Sequence, residues 1–143
     1  MRNQRGSAIV EVTWLSILLL VPLLYVVLAV FEVQRSAFGV SAAARSAGRA
    51  YATAPTEAEG RVRAVLAARV ALEDQGVDER SVDLEIACTP EPRNCLAPGA
   101  VIDVALSYQV ALPLMPSFLG DQTPSIRVST EHRVPYGTFR EDR

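Results

Sequence analysis

The feature that most constrains this chain is an uncharged apolar run from Val12 to Phe31, bounded by Glu11 and Glu32. As a helix, its twenty residues would be about 30 Å long, which matches the hydrocarbon thickness of a bilayer. A soluble helix of this length would need a polar face, and the run offers only three hydroxyl groups. Pro22 is compatible with a helix in lipid. We therefore predict one membrane-spanning helix over residues 12–31.

Basic residues set the expected orientation of this span. Arg2 and Arg5 precede the run, and there is no acid among the first seven residues. The positive-inside rule then keeps the amino terminus cytoplasmic and exports the rest across the cytoplasmic (inner) membrane. A cleaved secretory signal is an alternative, but its apolar region has only about 7–15 residues. An uncleaved signal anchor is the other alternative.

A short basic leader, residues 1–6, ends in Gly6, and Glu11 follows five residues later. This pattern resembles the processing site of type IV prepilins and pseudopilins, which a membrane peptidase cuts after the glycine. The resemblance implies that prepilin peptidase cleaves between Gly6 and Ser7, and that Glu11 pairs with the amino terminus of a neighbouring subunit. A carboxylate near the bilayer is costly and needs a partner on physical grounds as well. The alternative is that Glu11 only marks the water interface and Gly6 is incidental.

The helix is expected to continue beyond the span, so that it covers residues 7–54. Small residues recur there at four-residue steps, among them Gly39, Ala43, Ala44 and Gly48. Faces of this kind let another backbone approach closely. They could form a subunit or partner-helix interface, or they could pack against the domain of the same chain.

An early glutamate in a span, followed by an alanine-rich helix ending at residues 47–52, resembles the TadE-like (TadE/TadG family) proteins. These are accessory pseudopilins of the tight-adherence, or Flp-type (type IVb), pilus machinery. The resemblance covers residues 5–55, although the aromatic Trp14 comes later than in many pilin-like proteins. It implies a role in assembling, priming or anchoring a pilus, with other pilins or pseudopilins and Tad inner-membrane components as partners.

An exported domain is predicted over residues 55–137, and it begins with a helix over 56–75. Thr56 and Glu59 have the spacing of a capping box, and Gly76 ends the helical pattern. We expect this helix to cover a sheet with its apolar face, which comprises Val62, Val65, Leu66, Arg69, Val70 and Leu72.

Three segments with alternating apolar and polar residues follow, at 82–88, 102–112 and 126–134. They predict a three-stranded antiparallel sheet, and hence an α+β fold. The connection at 113–120 is apolar, so it could dip toward the membrane, dock on a partner or join the core. Residues from Tyr136 onward resemble a frayed end, with a flexible tail over 138–143.

Cys88 and Cys95 are expected to form a disulfide if the compartment is oxidising. A metal site is the alternative, but it needs further ligands, and the single histidine, His132, is remote in sequence.

The sequence contains no recognisable catalytic constellation, so we expect no enzyme, no cofactor, no metal and no small-molecule substrate. A net charge of −2 argues against nucleic acid as a partner. Beside the pseudopilin hypothesis stands an uncleaved, signal-anchored binding or adhesion domain without a pilus role. A membrane-tethered enzyme is the least favoured class.

Overall fold

The computed structural model describes residues 5–78, 82–111 and 125–139, with the backbone alone at 5–7. Its elements are α1 (Arg5–Ala52), α2 (Glu57–Asp74), β1 (Val82–Thr89), β2 (Val101–Ala111) and β3 (Ser125–Pro135). The strands form an antiparallel sheet in the order β1-β2-β3. The predicted α+β class, with a long apolar helix, a second helix and a three-stranded antiparallel sheet, is confirmed.

Helix α1 is continuous through Pro22 and changes character along its length. Its first part is exposed, whereas from Ser36 onward one side is buried at a helical period. The buried positions are Ser36, Gly39, Val40, Ala43, Ala44, Ala47, Gly48 and Tyr51. The second half of α1 therefore belongs to the core of the α+β domain.

The sheet is covered by α1, and this corrects the expectation that the helix over 56–75 covers it. α1 lies between the two other layers, with β2 and β3 on one side and α2 on the other. Small residues permit this double contact. A Cβ built at Gly48 would lie 2.6 Å from Val134 of β3, and one built at Gly39 would lie 2.9 Å from Val77, just after α2.

Helix α2 also buries a different face from the predicted one. Its buried residues are Gly60, Ala64, Ala68 and Leu72, at four-residue steps. Four of the larger residues assigned to the core are 44–59% exposed, namely Val62, Val65, Leu66 and Val70, whereas Leu72 of the same predicted face is buried as expected. Helices approach closely where side chains are small, so α2 packs on α1 through its glycine and alanines and leaves its valines outside.

The ends of α2 follow the expected signals in part. The Thr56 hydroxyl accepts a hydrogen bond from the Glu59 N–H at 3.3 Å, but the Glu59 carboxylate accepts from Arg63 instead of completing the capping box. At the other end Gly76 has φ +64°, and the N–H of Val77 donates to the Leu72 carbonyl at 3.0 Å. This is a Schellman-type ending, and it directs Val77 toward α1.

The sheet presents its apolar face to α1. On β2 the inward residues Ile102, Val104, Leu106 and Val110 are all at most 1% exposed. β1 and β3 flank them in register, with Ile86 and His132 beside Val104. The three predicted alternations therefore correspond to real strands, while Leu112 and the apolar connection at 113–120 lie outside the described residues.

A partly buried loop joins β1 to β2, and Cys95 and Leu96 are its innermost residues. Cys88 and Cys95 form the predicted disulfide and are 2% and 0% exposed. The Cys95 N–H donates to the Glu57 carboxylate at 2.6 Å, so the loop is fixed to the start of α2.

Tyr136 does not belong to a frayed end, and that expectation is wrong. Its side chain is 2% exposed, and its N–H donates to the Ala100 carbonyl at 2.7 Å. Gly99, at φ +83°, donates its own N–H to the Tyr136 carbonyl at 3.2 Å. The turn at Gly99 extends the pairing between β2 and β3 past Pro135, whereas Phe139 is fully exposed.

Candidate functional site

The amino-terminal half of α1 carries an extensive exposed apolar surface. Every leucine, isoleucine and valine from Ile9 to Val30 is at least 41% exposed. The helix is long and apolar enough to cross a membrane, and its most apolar window is not buried anywhere in the described structure. Each large apolar side chain left in water forgoes about 1.5–3 kcal/mol of burial. This surface therefore requires an apolar environment that the described chain does not supply.

Glu11 differs from the other polar groups near the start of this surface. The hydroxyls of Thr13 and Ser16 donate to helix carbonyls one turn earlier, each at 2.8 Å. The Glu11 side chain is exposed and has no hydrogen bond or ion pair within the described residues. Gly6 and Ser7 lie in the first turn of α1, and the side chain of Ser7 is outside the described part of the structure. The structure thus leaves the Glu11 carboxylate open to a partner from outside.

At the other end of the apolar run, charges are already paired. Arg35 donates to the Glu32 carboxylate at 3.0 Å and approaches the Gly76 carbonyl at 3.4 Å. The first charges beyond the run therefore join α1 to the end of α2.

All four predicted helix-packing residues lie inside the chain's own core. Ala43 and Ala44 are 0% exposed, and Gly39 and Gly48 are buried. Gly48 lies under Val134 of β3. The structure therefore places these residues in the contact between α1 and its own domain, one of the two uses that the sequence left open.

An apolar surface on α2 lies outside the apolar run. It consists of Val62, Val65, Leu66 and Val70, and we call it the α2 outer stripe. These residues follow the spacing of one helical face and are 44–59% exposed. Sequence reasoning identified the stripe but assigned it to the core. As an exposed aliphatic face on a packed helix, it can bind a protein partner.

The outer face of the sheet is polar. Arg133 donates to Asp103 at 2.8 Å and to Glu131 at 3.0 Å. Hydrogen bonding to Glu131, and then the charge of Asp103, raise the pKa of Arg133, which keeps its charge. A shallow groove of about 330 Å³ lies over Ala105 beside Glu85. His132 belongs to the opposite face, and no group of metal-binding side chains occurs among the described residues.

Tyr51 fills the space where α1 and α2 meet, about 30 Å beyond the end of the apolar run. Its ring lies 3.1 Å from the position that a Cβ on Gly60 would take, so a larger residue at position 60 would require the ring to shift by a few tenths of an ångström. Burial, followed by the nearby Glu57 carboxylate, raises the pKa of Tyr51, and Arg61 opposes this. Its buried hydroxyl has no hydrogen-bond partner in the described part of the chain. Tyr51 acts as a packing residue.

Sequence reasoning missed Tyr51 and Tyr136 as parts of the core, and it missed the part-buried contact of Glu57 with the cysteine loop. The acid at Glu57 is expected in a first helical turn, but its contact with the cysteine loop depends on the folded chain. The sequence did contain one indication that Tyr136 is packed, because this residue directly follows the alternating strand segment and Pro135.

No family model, curated protein or solved structure matches this chain. The resemblance to TadE-like proteins therefore rests on the residues quoted from the sequence.

Proposed function

We propose that this chain is a membrane-anchored, TadE-like pseudopilin that assists the assembly, priming or anchoring of a Flp-type pilus or a related secretion machine. One observation carries the proposal. An exposed apolar helix surface follows a short basic leader, and Glu11 is the carboxylate near its start without a partner in the described chain. In this proposal the amino terminus faces the cytoplasm and the α+β domain is exported.

The geometry suggests how such a subunit would recognise its neighbours. After cleavage behind Gly6, the new amino group of Ser7 on one subunit would meet Glu11 of another within the bilayer. An ion pair is much stronger there than in water, because the surrounding dielectric constant is low. The α2 outer stripe would supply a second, specific contact outside the membrane, with another pilin, a pseudopilin or a Tad inner-membrane component.

The intact mass of the protein purified from its native membrane tests the processing step. Loss of residues 1–6, with Ser7 as the new amino terminus, would support pilin-type processing. An intact leader in cells with an active prepilin peptidase would leave a signal-anchored binding or adhesion domain instead.

Glu11→Gln tests the pairing step. We expect the variant to insert normally but to lose pilus assembly, because the amide cannot pair with an amino terminus as a charge. Glu32→Gln is the matched control, since it removes an acid at the other end of the run that is paired only with exposed Arg35. Pili would be counted by electron microscopy after membrane levels are equalised. Normal piliation in Glu11→Gln would contradict the mechanism.

A further inference from the structure

An apolar groove lies where the end of the β2–β3 hairpin meets α1. Its volume is about 340 Å³, and we call it the hairpin groove. It is lined by Tyr25, Val26, Ala29, Val30, Val33, Gln34 and Ile126. Ile126, near the start of β3, is 44% exposed, although it is paired with the buried Val110 of β2.

The groove lies at the depth of the apolar run. Burial on the side of α1 that faces the sheet continues toward the amino terminus beyond Ser36, because Ala29 and Tyr25 on the same side are partly buried. At 1.5 Å per residue, Val26 lies about 8 Å inside the end of the run at Phe31. Thus, if residues 12–31 span the bilayer, the groove that Ile126 lines extends below the level of the paired charges Glu32 and Arg35.

The described end of the hairpin has polar groups beside the apolar groove. Ser125 donates to the Gln109 side chain at 3.2 Å, and Ala111 pairs with Ser125 across the strands. β3 is nevertheless an edge strand, whose outer backbone groups need water or lipid headgroups, so it cannot enter the hydrocarbon fully. The thirteen residues that join the two strands at this end begin with an uncharged stretch over 112–120.

We propose that the end of the β2–β3 hairpin rests in the headgroup and upper acyl region of the bilayer, and that lipid covers the hairpin groove. This rests on the membrane span of the proposed function, but not on processing or on a pilus. Interfacial elements bury about 5–10 Å into this region, which matches the depth to which the hairpin groove extends. The domain then contacts the membrane at a second point besides the span, and the α2 outer stripe is held in a fixed orientation to the bilayer.

Tryptophan quenching in vesicles of phosphatidylcholine and phosphatidylglycerol tests this contact with the full chain. The native Trp14 lies in the apolar run, and its quenching by brominated lipid reports the span itself. The probe Ile126→Trp is then placed in a Trp14→Phe background. Glu131→Trp in the same background is the control, because position 131 lies five residues further along β3 on the outer face of the sheet. Both variants introduce tryptophan, so any general preference of this side chain for interfaces is the same in both.

We expect the probe at position 126 to emit at shorter wavelength, and lipids brominated near the headgroup to quench it more than lipids brominated near the acyl-chain ends. The control at 131 should respond only to aqueous acrylamide. A probe at 126 that acrylamide reaches as readily as the control would overturn the proposal, because the hairpin would then lie above the membrane. A probe that neither quencher reaches would overturn it in favour of a groove filled by protein. Lipid quenching at both positions would also contradict it, and an unquenched Trp14 would refute the span and this contact together.

Discussion

Gly48→Ala tests the close contact between α1 and the sheet. The new Cβ would lie 2.6 Å from the Val134 side chain, whereas carbon atoms pack at about 3.5–4.0 Å. Val134 is β-branched, so its side chain cannot rotate away freely. Overpacking of this kind costs about 1–3 kcal/mol, while alanine gains about 1 kcal/mol over glycine within a helix. We therefore expect a net loss of about 0–2 kcal/mol in the free energy of unfolding.

The sharper form of this prediction is a double-mutant cycle with Val134→Ala. Once the Val134 methyl groups are removed, the next neighbours of the new Cβ, in Val104 and His132, lie at 3.5 and 3.6 Å, which is ordinary contact. Gly48→Ala should then stabilise the chain by up to about 1 kcal/mol, so its effect changes sign. Pulse proteolysis of the full chain in detergent micelles, across a urea series, measures the folded fraction. Equal effects of Gly48→Ala in the two backgrounds would refute the proposed contact.

Three further predictions concern the domain. Replacing Cys88 and Cys95 by alanine should cost about 2.5 kcal/mol by the chain-entropy estimate, and an unchanged urea midpoint would contradict this. Tyr51→Phe should be neutral or stabilising, because the buried hydroxyl has no partner in the described chain, whereas Tyr51→Ala should cost about 3–5 kcal/mol. Burial raises the pKa of Tyr51 in the folded chain, so this tyrosine ionises first in the unfolded chain. The free energy of unfolding should therefore fall as the pH rises above about 10. Tyr51→Phe should remove this contribution when unfolding is measured over a series of alkaline pH values. On α2, Leu66→Gln should change stability by less than about 0.5 kcal/mol and Ala68→Leu should cost about 1–3 kcal/mol, so the reverse order would contradict the observed burial.

The sheet could be predicted from the sequence because its signal is local. Ile102, Val104 and Leu106 alternate with polar residues, and a period of two leaves only one choice of buried face. The disulfide was predictable for a similar reason, since Cys88 ends one strand and Cys95 lies in a short proline-containing loop before the next.

The packing of the helices could not be predicted in the same way. Helix α2 has two candidate faces, one with large aliphatic residues such as Leu66 and one with small residues such as Ala64 and Ala68. Hydrophobicity favours the first, but the choice depends on the partner, and α1 presents Gly39 and Ala43 rather than a sheet. Close helix contact therefore selects the small face, and this information lies about twenty residues away in the sequence.

The central position of α1 connects the proposed membrane chemistry with the domain. α1 runs without interruption from Arg5 to Ala52, and its second half forms the middle layer of the fold. Glu11 and Tyr51 are forty residues apart, or about 60 Å along one helix. Because the described structure has no loop between the apolar run and the domain, a partner that fixes the position of Glu11 would also fix the direction in which the proposed span leads into the domain. A second contact at Ile126 would then fix the rotation of the domain about that helix, so the α2 outer stripe would meet a neighbouring subunit in one orientation.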